Sequence, residues 1–285
     1  PQLLEALILL ANGKAPCQTL LGDDDDHDED DDDDHDNVLM DNVADLCGGV
    51  AKVAGARLGA EATDAMFRAF ARYAQPARSA SDRAMALGCF AELCVELPPE
   101  LAADRHFGTL QPLFASACGD THANVARNAA FGLGALCERA PGNAKPHLQG
   151  ALHALFPLVQ RADNSKAERQ AQDAAASDNA LASMFRVCAA DVSSAPVDQV
   201  LGLVLPRLPL QEDSGENATC AQFFIDLAVQ GHPAIQAHAA SIRTALSNML
   251  SEDKLDDAAV AEQARGLLGR LGGQVIFGAL ALGRA

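Results

Sequence analysis

Apolar residues recur along this chain in helical steps. In His106–Cys118, Phe107, Leu110, Leu113 and Phe114 fall at i, i+3, i+6 and i+7, which is one face of a helix. Gly119-Asp120-Thr121-His122 then supplies turn and capping residues. A second apolar pattern runs over Asn124–Arg139 with Val125, Phe131, Leu133 and Leu136, and Pro141-Gly142 stops it. The same two-helix pattern covers Glu61–Leu97, Pro146–Ala190, Pro196–Val229 and Ile235–Leu271.

A short element opens each second helix: a charged residue, then Asn, Arg or Gln, then Ala or Val. Its copies begin at Asp41, Asp82, Arg127, Asp178, Glu216 and Glu262, a mean spacing of about 44 residues. That period matches HEAT and armadillo repeats and exceeds the ankyrin and tetratricopeptide periods. A single helix pair cannot bury its apolar face alone, so neighbouring pairs must stack. The expected fold is all-α: a right-handed superhelical HEAT-repeat solenoid of about six helix pairs. Residues 1–285 would form one solenoid segment of a longer chain. First helices are expected on the convex side and second helices on the concave side. Small residues crowd the second helices, as in GGVAKVAGA and AAFGLGAL, which predicts close helix–helix approach.

Two segments interrupt the pattern. Asp23–Asp36 reads DDDDHDEDDDDDHD, and its self-repulsion predicts a disordered acidic loop over 22–36. Asp163–Ala176 is a polar insertion in the longest repeat.

Composition agrees with helices. Aromatics are 4%, there is no Trp and Tyr73 is the one tyrosine, so an all-β fold is unfavoured. The net charge is −18, from 39 acids and 21 bases; without the acidic run the counts are 27 and 21, a net of −6. Direct nucleic-acid or anionic-membrane binding would need Lys/Arg patches, so neither partner is expected; a basic partner fits the charge. Eight cysteines lie mostly in Ala/Leu stretches without a CxxC pair, which reads as buried free thiols rather than disulfides or zinc ligands.

Chemistry is sparse. GxSxG, HExxH and Walker signatures are absent, and the eight histidines are scattered, so no catalytic residues, cofactor or metal are expected. The acidic run lacks the sixth-position Gly and closing Glu of an EF-hand. The repeat element is more informative. Stacking would align Asn42, Asn128, Asn179 and Asn217 along the inner face. Their amides could hold an extended peptide backbone, or they and the neighbouring acids could cap helices.

Several segments resemble the importin-β family of nuclear transport receptors in its C-terminal part. Val125–Glu138 (VARNAAFGLGALCE) is similar to that family's VRxNAxFGxGxLxE helix. Leu205–Asp213 (LPRLPLQED) with Glu216 resembles LPLKEDxEE, with Gln211 in place of the Lys. Asp178-Asn179-Ala180-Leu181-Ala182 resembles DNxxGALAR, and the acidic tract also has a counterpart there.

The resemblance implies a receptor shuttling between cytoplasm and nucleus. It would carry basic cargo with Lys-rich signals, such as histones and ribosomal proteins, and contact nucleoporins. Ran-GTP would release the cargo through repeats outside this segment. On this reading Asn128, Asn179 and Asn217 hold the cargo backbone. Asp178, Glu212, Asp213 and Glu216 meet its lysines, and Phe131 or Phe223 packs their aliphatic stems. A static HEAT-repeat scaffold of a phosphatase or chromosome complex is the alternative.

Overall fold

The computed structural model describes residues 2–19, 29–164, 166–167 and 169–282. Among them are twelve helices of eight residues or more and no strand. In chain order they are α1 (Gln2–Ala11), α2 (Glu29–Ala54), α3 (Gly59–Ala71), α4 (Ala80–Glu96), α5 (Ala103–Ala117) and α6 (Ala123–Arg139). They continue as α7 (Leu148–Asp163), α8 (Gln170–Ala190), α9 (Val197–Val204), α10 (Asn217–Val229), α11 (Ala239–Ser251) and α12 (Ala258–Leu282). They form six successive pairs. The second helices make the continuous layer: α2 packs on α4, α4 on α6, α6 on α8, α8 on α10 and α10 on α12. The first helices lie behind them, with α1 against α3 and α5 against α7. This is the all-α HEAT-type solenoid the 44-residue period predicts.

Local chemistry sets the boundaries. The Ser79 hydroxyl accepts the Asp82 N–H at 3.0 Å and caps α4. Asp120 accepts the His122 N–H at 2.8 Å where α6 begins. Phe107, Leu110 and Phe114 of α5 are buried, with Leu113 partly so, as their spacing requires. α6 ends at Arg139, just before Pro141-Gly142.

The third pair shows why small residues gather on second helices. α6 is buried almost all round, from Val125 to Cys137. A Cβ on Gly132 would stand 2.3 Å from the Phe114 ring, and one on Gly134 would stand 2.9 Å from the Ser183 Cα. Glycine here buys close approach of α6 to α5 and α8, against a helix-propensity cost of about 1 kcal/mol. Cys47, Cys89, Cys94, Cys118, Cys137, Cys188 and Cys220 are free and buried in the core. Burial pushes thiols such as Cys47 and Cys137 up to about 12.

Polar rungs stitch each pair to the next. Arg105 binds Asp64 bidentately, both bonds 2.7 Å, across 41 residues. Arg83 reaches Asp120 across 37 residues, Arg139 the Leu97 carbonyl across 42, and Arg207 Asp163 across 44. Each tie spans about one repeat, as nearest-neighbour stacking demands.

The two interruptions differ from expectation. Asp23–Asp28 of the acidic run lie outside the described residues, while Glu29–Asp36 is helical and begins α2. The polar insertion is helical from Gln170 onward, where it lengthens α8. Buried Asp173 anchors it through Arg161, 3.1 Å away.

Candidate functional site

The layer of second helices carries two acidic regions that repeat chemistry alone makes equivalent. The first lies where α8 meets the α9–α10 connection. Asp178 on α8 accepts the backbone N–H groups of Gln211, Glu212 and Asp213 at 3.1, 2.9 and 3.0 Å. Burial raises the Asp178 carboxyl above its ordinary value, against the lowering effect of these three donors. Asp213 accepts from Arg127 Nε at 3.1 Å and from the Asn179 amide at 2.6 Å. Glu216 pairs with Arg186 at 3.0 Å. Arg186 in turn lies 4.8 Å over the Phe131 ring and 3.6 Å from Glu138. Glu212 keeps an exposed side chain.

The amides expected to face a ligand are mostly used inside the chain. Asn217 is fully buried: its Oδ1 accepts the Leu210 N–H at 2.8 Å, and its Nδ2 donates to the Leu210 and Ser214 carbonyls at 3.0 Å each. Asn179 is 3% exposed and donates to the Ala175 carbonyl as well as to Asp213. Asn128 donates to the Ala84 carbonyl of the preceding second helix at 2.8 Å. Asn42 donates within its own helix, to Val38. Asn179 and Asn217 are therefore internal clamps, because a buried peptide group needs a partner and Asn supplies both donor and acceptor, whereas Asn128 is half-buried in a surface groove and Asn42 is exposed. Phe223 is likewise interior, stacked on Phe185 at 4.6 Å.

The second region is open. A groove of about 970 Å³ runs over α2, α4, α6 and the start of α8, with Asn128 and Phe131 in its wall. A smaller hollow of about 290 Å³ continues it past Gly48, Gly49 and Val95, sharing Glu92 and Phe131. Asp41, Asp45 and Glu92 are exposed here. None of the three has an ion pair among the described residues. Burial and the charges of Asp45 and Asp82 raise the Asp41 carboxyl; burial and the charges of Asp45 and Glu96 raise Glu92. Glu92 also fills the space beside Gly48 that a Cβ would take, so its carboxylate leans on the α2 backbone.

The repeat pattern contains the signal for this region. Asp41 opens the first copy of the element, and Asp45 follows at i+4 on the same face. Glu92 joins them only through the packing of α4 on α2.

Exposed carboxylates without an ion pair among the described residues thus line one open groove on a helical stack, with Arg127 and Arg169 at its other end. Among the described residues no group of His, Cys, Asp and Glu could hold a metal ion. No described helix is long and apolar enough to cross a membrane.

Relatives sharpen the class. The probable importin subunit beta-4 of Schizosaccharomyces pombe is 28% identical over 182 residues, 63% of this chain and 16% of that protein. Importin-4 of Homo sapiens is 29% identical over 144 residues, 50% of this chain and 12% of that protein. Both support the importin-β resemblance carried by the repeat segments; the chain matches no more than about a sixth of either relative's length. No family model matches. Among solved structures, the crystal structure of an engineered protein from the Northeast Structural Genomics Consortium aligns with TM-score 0.50 at 17% identity. It covers 94% of this chain and 96% of that one, a likeness of fold alone.

Proposed function

We propose that this chain is a cargo-binding stretch within a longer nuclear import receptor, and that it performs no catalysis. The observation that carries the reading is the groove of unpaired carboxylates, Asp41, Asp45 and Glu92, on a chain similar to importin-4 proteins. An extended Lys-rich segment of a histone or ribosomal protein would lie along it. Its ammonium groups would meet those three acids, and its stems would cross Phe131 and Val95. Asp178, Asp213 and Glu216 contribute less, since each is held by partners within the chain. Shuttling between cytoplasm and nucleus, release by Ran-GTP and contact with nucleoporins belong to the same proposal and to the whole receptor.

The test is fluorescence anisotropy of a labelled lysine-rich peptide against this chain, beside the same peptide with Lys replaced by Gln. Salt-sensitive binding of the first and none of the second is the expected result. A static scaffold would bind neither.

A further inference from the structure

Ties along a solenoid join neighbours, and here most polar rungs span 37 to 44 residues. Arg127 and Asp213 break that rule. They are 86 residues apart and join α6 of the third pair to the α9–α10 connection of the fifth, passing over the fourth. The same Asp213 oxygen accepts from Asn179 of α8 at 2.6 Å, and Asp178 of α8 holds the connection's N–H groups. Residues 208–216 therefore form a strap across three second helices.

We propose that the Arg127–Asp213 pair is a curvature latch. The tie runs along the second-helix side of the stack, so any bend that separates alternate second helices on that side must stretch it. Local packing of α6 on α8 and α8 on α10 survives such bending; a link that skips a repeat does not. The pair is also within reach of solutes, with side chains 41% and 22% exposed, so its strength is modest and sensitive to salt. Arg127 lines the groove that Asp41, Asp45 and Glu92 enter from its other end. Adjacent helix axes lie about 8–10 Å apart, so α2 to α6 is roughly 16–20 Å. An extended segment of about six residues covers that span at about 3.3 Å each. A basic residue at its far end competes with Arg127 for Asp213 and opens the latch. This last step rests on the proposed cargo reading; the latch itself does not.

The experiment uses amide hydrogen exchange and small-angle X-ray scattering on the full chain and its variants. Arg127→Gln and Asp213→Asn are each expected to raise exchange in 208–216 by about tenfold, the factor for ~1.4 kcal/mol, and to increase the radius of gyration. Arg127→Lys, which keeps the charge, is expected to stay close to the parent. Unchanged exchange and dimensions in Arg127→Gln overturn the latch. So does faster exchange without expansion, which would make the strap a local clasp only. Added Lys-rich peptide is expected to mimic Arg127→Gln in the parent chain. Peptide that binds and leaves 208–216 protected overturns the competition. Peptide that does not bind at all sinks the cargo reading, while the variants still decide the latch.

Discussion

Two acidic regions of one layer of second helices have opposite internal chemistry. Asp178, Asp213 and Glu216 each have donors from the chain itself: three backbone N–H groups, Arg127 with Asn179, and Arg186. Around Asp41, Asp45 and Glu92 the carboxylates crowd one another, and Asp41 and Glu92 titrate above their ordinary values. The first region is spent on holding repeats together. The second carries a standing electrostatic cost that an outside cation relieves. Acidity along a repeat thus does not tell a paired carboxylate from an unpaired one; the presence of an internal donor does.

The largest effect comes from breaking the internally paired region. Asn217→Ala strips the partners of the buried Leu210 N–H and C=O, and each unsatisfied group costs about 1–3 kcal/mol, so about 2–6 kcal/mol of unfolding stability is expected to go. Urea denaturation measures it. Asp178→Ala, which frees more exposed N–H groups, is expected to cost less, about 1–3 kcal/mol.

Removing charge from the open region acts the other way. Asp41→Asn with Glu92→Gln is expected to weaken a Lys-rich peptide about tenfold or more, equivalent to ~1.4 kcal/mol, with the melting temperature unchanged or higher at neutral pH. Weaker binding accompanied by earlier melting would place these acids with the structural set instead.

The smallest and sharpest test is pH. The Arg105 hydrogen bonds hold Asp64 down to about 2, from an ordinary 3.8. The folded state then binds this proton less tightly than the unfolded chain. Its stabilising contribution is present above 3.8 and is lost as pH falls toward 2. Asp64→Asn should flatten that part of the acid limb in a thermal-melt series. Asp41 and Glu92 have the opposite sign: their raised values mean stability is gained as pH falls through them. The benefit of neutralising them should therefore shrink toward acid pH.

The helices and their pairing were legible in the sequence because both follow from period: Phe107, Leu110 and Phe114 face inward as their spacing dictates, and Gly132 and Gly134 mark close approaches. The chemistry of the second-helix layer was only half legible. The repeat element located Asp178, Asn179, Glu216 and Asn217 in that layer but could not tell a clamp from a free ligand. The difference depends on donors 30 to 86 residues away, such as Arg186 for Glu216 and Arg127 for Asp213. Asp41 stood in the same element and drew no notice, since its distinction is a missing cation and absence has no spacing.

The strap also sets an order of events during synthesis. Rungs that span about 40 residues let each helix pair lock onto its predecessor soon after it emerges, which keeps contact order low. Arg127 must wait for Asp213. At roughly 5–20 residues per second, the intervening 86 residues take about 4–17 s, so the nascent stack spends that interval untied across its third to fifth repeats. A tie that closes a full repeat later than its neighbours is the one proposed to hold the stack's curvature.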